Sequence, residues 1–161
     1  MDNRYLTTKE RADLTAYLAT ARVRRSALEE IRRNAVRVAD DLMGSIRRMY
    51  PQFGRIRPLG YDKGHRDMVL LTHMAANAMF LGETDTLDDQ FLVWYSTILK
   101  GVHMTPQFMT DTMTLWRNSL ERALNPDVFA LLRPVVEHIS TRLTGIPETA
   151  KDEIGERLAL V

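Results

Sequence analysis

Lys63, Arg66 and Asp67 stand three and four residues apart, the spacing that puts side chains on one face of a helix. Two cations and an anion gathered there, beside a glycine at position 64, suit a molecule that carries both carboxylates and ring N–H groups. The cations would pair with the carboxylates, and Asp67 would accept from the N–H groups. The same trio also reads as a surface salt bridge, a contact of little energetic weight. The chain contains no cysteine. Anything gripped here is therefore held by charge, hydrogen bonds and packing, without a thioether.

Other chemistry is sparse. His65 and His73 lie eight residues apart, about two helical turns, which misses the one-turn spacing of paired metal ligands. No carboxylate supplies a convincing third ligand, so no metal site is expected. A haem needs one histidine above an apolar pocket. His73, mid-helix, and His103, in the turn before Pro106, are the candidates, and each also reads as an ordinary core or surface histidine. There is no cysteine nucleophile, glycine-flanked serine or phosphate-binding glycine loop, so no enzyme is expected. Arginines 22, 24, 25, 32, 33, 37, 47, 48, 55 and 57 crowd one segment that has few acids. They read as a solvated helix face or as a surface for anions. The glycine-aromatic motifs of nucleic-acid binders are missing.

These residues need a scaffold, and 161 residues at 45% apolar and 27% charged suit a single domain with a real core. The net charge of +1 points to no partner. No apolar run reaches membrane-spanning length and no signal-peptide core opens the chain, so a soluble cytoplasmic protein is expected. Apolar spacing is helical throughout. Thr7 with Glu10 predicts a capping box, followed by a helix with Leu14, Tyr17, Leu18 and Ala21 facing inward. Val23, Leu28, Ile31, Ala35, Val38, Leu42, Ile46 and Met49 form the stripe of a second helix, which Pro51 ends. A loop then runs to Tyr61, and Asp62 is the expected cap of a third helix ending at Gly82. Thr86 with Asp89 predicts the start of a fourth helix, Thr105-Pro106 of a fifth, and a sixth follows Asn125-Pro126 with Pro134 inside it. Leu131 is placed among the residues of that sixth helix's apolar spacing. The tail, residues 146–161, is expected to hold at most a short helix. Unequal loops between these helices suggest globin-type packing.

The run Gly60-Tyr61-Asp62-Lys63-Gly64-His65-Arg66-Asp67 resembles the site Gly-x-Asp-Lys-Cys-x-Arg-Asp of the phycobiliproteins, globin-like subunits of light-harvesting phycobilisomes. Three further stretches are similar in the same order. Arg4-Tyr5-Leu6-Thr7 resembles an Arg-Tyr-Leu-Ser helix opening. Residues Gly82 to Asp89 resemble the family's glycine-threonine loop and acidic helix start. Thr105-Pro106-Gln107-Phe108 is similar to a Ser-Pro-x-Trp turn bordering the bilin. The resemblance runs from about Asn3 to Leu143, within a domain placed at residues 1–145.

The resemblance implies an all-α globin-like fold and a linear tetrapyrrole (bilin) ligand. It implies that Asp67 binds the inner pyrrole N–H groups, that Lys63 and Arg66 pair with propionates, and that Phe108 stacks near one ring. Arg57 of the preceding loop joins this set. Gln90 stands where the family often has a tyrosine. Gly64 replaces the tethering cysteine. Most of the first helix of the family's N-terminal helical hairpin, which joins subunits into rings, is absent. The pattern is therefore similar to the non-antenna relatives called bilin biosynthesis-associated globins. Implied partners are the tetrapyrrole, a bilin-synthesising enzyme and a second copy of the chain as a homodimer. The alternatives are a haem-binding globin using His103 or His73, and a ligand-free globin acting through helix contacts.

Overall fold

The computed structural model describes residues 5–145, and they form an all-α, globin-like fold with no strand among them. The tail at 146–161 and Arg4 of the first motif lie outside the described residues. Helix α1 is Thr8–Ala19 and α2 is Ala21–Met49. A short α3, Phe53–Ile56, leads into α4, Gly60–Leu81. One turn, α5 (Asp85–Leu87), passes through a π-helical turn at Asp88–Leu92 into α6, Val93–Gly101. Helices α7 (Pro106–Ala123) and α8 (Pro126–Thr144) complete the described chain.

Helix α2 is the spine. Its stripe of Ala27, Ile31, Ala35, Val38, Leu42 and Ile46 is buried and packs against α4, α7 and α8. Trp116 at the centre of α7 is fully buried, and its indole N–H donates to Thr72 Oγ1 on α4 at 3.0 Å. The Thr72 hydroxyl donates in turn to the Met68 carbonyl at 2.8 Å. Both polar groups thus avoid the penalty of burial without a partner.

Several helix ends follow the expected chemistry. The Thr7 N–H donates to Glu10 Oε2 at 2.7 Å and the Glu10 N–H to Thr7 Oγ1 at 3.2 Å, closing the capping box. Gly82 takes the left-handed conformation at φ 73°. Thr105 caps α7, with Pro106 in the first turn. Helix α8 continues through Pro134.

Other expectations are corrected. Asp62 does not cap α4: the helix begins at Gly60 after Leu59, and Asp62 lies in its first turn, where an acid favours the helix dipole. Thr86 does not cap the next helix, since Asp85 starts it and the Thr86 N–H donates back to Glu83 Oε2 at 3.0 Å. Leu14, Tyr17 and Leu18 do not enter a core, because α1 buries no residue. Val23, Met49 and Leu131 are also exposed, as each lies beyond or beside the helix–helix contacts.

Candidate functional site

The first two turns of α4 present the charged trio. Lys63 and Arg66 are exposed and Asp67 is half-buried. Arg66 Nε lies 3.7 Å from Asp67 Oδ1, with the Arg66 side chain 76% exposed and the Asp67 side chain 34% exposed. Burial raises the Asp67 carboxyl above its ordinary value, and the charges of Arg66 and Lys63 offset this only in part. Asp67 is thus a carboxylate that loses solvent without gaining close partners. Tyr95 on α6 senses it: burial first, then the Asp67 charge, pushes the Tyr95 phenol up.

Arg57 sits in the turn between α3 and α4. Its Nη2 donates to the Val102 carbonyl at 2.7 Å, at the end of α6. Its Nε is buried and has no hydrogen-bond partner. A buried, unused N–H of a cation carries a desolvation cost and suits an anionic acceptor. Phe108 is buried in an aromatic cluster. It stacks on Phe53 with centroids 5.1 Å apart and meets Tyr50 edge-on at 5.1 Å. The Tyr50 hydroxyl donates to Asp111, and burial followed by that carboxylate pushes the phenol up.

The structure therefore places Lys63, Arg66 and Asp67 on one surface and Phe108 in the core behind the α3–α4 turn. None of the five lines the two best-defined clefts. One cleft of about 230 Å³ lies along the α2–α4 seam, lined by Asp40, Met43, Gly44, Arg47, Tyr61, Asp62 and His65. The other, about 200 Å³, lies between α2 and α7 beside Arg37, Asp41 and Arg122. Both fall below the roughly 300 Å³ at which enclosed ligand sites begin.

The histidines scatter. His73 is half-buried in α4, and His103 is exposed at φ 57° between α6 and α7. His65 meets Asp40 at 2.9 Å, and His138 on α8 meets Asp88 Oδ1 at 2.7 Å. Among the described residues no group of three His, Cys, Asp or Glu is placed to hold a metal, and no helix is long and apolar enough to cross a membrane.

The arginine-rich segment divides by role. Arg25 pairs with Glu29 at 3.3 Å, Arg32 donates to Asn77 at 2.8 Å, and Arg47 lies over the Tyr61 ring at 4.6 Å. Arg24 is only 7% exposed. Its guanidinium donates to the carbonyls of Phe80 and Tyr17 and lies 3.5 Å from the Tyr17 ring centre. It thereby satisfies carbonyls near the C-terminal ends of α4 and α1. Grouping it with the solvent-facing arginines missed this role. Its place three and seven residues before the buried Ala27 and Ile31 was the available signal.

The residues fit a pigment in donor set more than in cavity. The half-buried Asp67, the two exposed cations beside it and the Arg57 Nε without a hydrogen-bond partner are the acceptor and donors this region offers. A family model described as phycobilisome protein matches residues 1–143. No curated protein matches the chain.

Proposed function

This chain belongs to the phycobilisome protein family, and from that premise we propose that it is a globin that binds a linear tetrapyrrole without a covalent bond. It serves bilin biosynthesis or transfer, in contact with a bilin-making enzyme, and is not a light-harvesting antenna. The observation that carries this reading is Asp67, half-buried at the start of α4 with only a loose 3.7 Å ion pair to Arg66, while Lys63 and Arg66 stay in water. A pigment lying along this side of α4 would supply the missing partners. Its N–H groups would donate to Asp67, and its propionates would pair with Lys63 and Arg66. With no cysteine in the chain, retention rests on these contacts, so the pigment exchanges faster than a tethered one. The function needs no chemistry from the protein, and a homodimer is the assembly we assign to it.

Titration with biliverdin, followed by the visible absorbance of the pigment, tests this. The natural chain should give a saturable red shift, and Asp67→Ala or Arg66→Ala should weaken binding about tenfold or more, as loss of a charged hydrogen bond does. Equal binding by all three proteins would reject the site. A second reading, a ligand-free globin acting by helix contacts, is favoured by the closed Phe53–Phe108–Tyr50 cluster and the apolar residues exposed on α1. It predicts no spectral change with biliverdin or haem.

A further inference from the structure

Gly64 is usually read by what it lacks, a thiol. Its surroundings carry more information. A Cβ built at Gly64 would stand 2.9 Å from the Met43 terminal methyl carbon and 3.4 Å from the Met43 sulfur. Met43 belongs to α2, is buried, and also walls the α2–α4 cleft beside Tyr61 and His65. The side chain of Met43 thus fills the space into which any residue at 64 would grow. A flexible thioether suits such irregular gap filling.

We infer that Met43 and Gly64 form a size-matched pair, and that Met43 determines whether position 64 can present a group to a ligand. This rests on the tetrapyrrole reading for its functional meaning, but its steric content stands apart from any pigment. A cysteine placed at 64 would not by itself give a tethering site. Its Cβ already crowds the terminal methyl of Met43, so Met43 has to swing toward the α2–α4 cleft or keep the thiol covered. Presentation of a group from position 64 is thus a property of two helices, and a change at 64 alone does not restore it.

The chain has no cysteine, so Gly64→Cys introduces a single thiol that reports on its own surroundings. Its rate of reaction with 5,5′-dithiobis(2-nitrobenzoate) in the native protein is compared with that of Gly64→Cys/Met43→Ala, using each protein unfolded in guanidinium as the fully open reference. The double variant should react on the order of tenfold faster, because access controls thiol exchange. A single variant that reacts as fast as the double one, or as fast as unfolded chain, overturns the inference. Thermal melts of Gly64→Ala, Met43→Ala and the pair give a second measure that needs no thiol. The two changes should be non-additive, with Met43→Ala costing less when residue 64 is larger, as expected for side chains that share space. Strict additivity overturns the pairing. Biliverdin titration of the same proteins separates the two levels: absence of binding in every variant rejects the proposed function, while the thiol and melting data still decide the pair.

Discussion

Two aspartates in this molecule each sit beside two basic side chains, yet their carboxyls move in opposite directions. Asp88, at the start of the π-helical turn, has a side chain 15% exposed and receives His138 at 2.7 Å and Arg142 at 2.8 Å, both from α8. Burial opposes its charge, but these two partners together hold its carboxyl below the ordinary value. Asp67 is more exposed, yet burial prevails and its carboxyl rises, because Arg66 reaches only 3.7 Å and Lys63 stays in water. The difference lies in where those basic side chains are anchored. Those of Asp88 come from a neighbouring helix whose packing fixes their aim. Those of Asp67 come from its own helix turn and are free to point away. The first cluster is complete within the chain and ties the π-turn to α8. The second leaves a carboxylate in want of donors, which is the condition expected of a binding group.

Asp88→Ala should produce the largest effect. It removes the shared partner of His138 and Arg142 and should cost about 2 kcal/mol, since part of the penalty is relieved by the exposure of Arg142. A melting temperature lower by about 5 °C is expected. A loss within measurement error would show that the π-turn does not depend on this tie.

Asp67→Asn should act in the opposite sense. The raised carboxyl means that ionising Asp67 in the fold costs stability. The amide removes that cost and should raise the melting temperature at pH 7 by about 2 °C, a small gain because water screens a side chain this open. The advantage should fade as pH falls through the raised value toward 3.8. For Asp88 the folded carboxyl lies below 3.8, so its stabilisation is full above that pH and is lost as pH falls through the lowered value. Melts of Asp67→Asn and Asp88→Asn from pH 7 to 3 should therefore converge on the natural chain from opposite sides. Convergence from the same side would remove the contrast between the clusters.

Arg66→Ala should change stability least, by less than about 0.5 kcal/mol, because its ion pair is long and exposed. A larger loss in the melt would make Arg66 a structural partner of Asp67 and weaken its assignment to a ligand.

The sequence was informative where one periodicity served one purpose. The α2 stripe from Ile31 to Ile46 and the Trp116 face of α7 were readable because burial there is continuous and three or four residues apart. The same rule failed at α1, where Leu14 and Leu18 keep apolar spacing without being buried and Tyr17 is covered only in part, by Arg24. Spacing records a face but not what covers it. At the site, spacing brought Lys63, Arg66 and Asp67 to one surface. It could not disclose that Phe108 is enclosed by Phe53 and Tyr50, contacts that join segments about fifty residues apart. Nor could the arginine run reveal that Arg57 holds the end of α6, since all arginines look alike until the chain folds.

Arg24 bears a responsibility out of proportion to its size. Helix α1 lacks a buried side chain of its own, and the guanidinium of Arg24 joins the Tyr17 carbonyl to that of Phe80. That one planar group works as a rivet, with the leading helix as a flap fastened at its far edge. Were the rivet drawn, only the Tyr17 hydroxyl would still reach the Phe80 carbonyl, and amide exchange along α1 should quicken before the body melts.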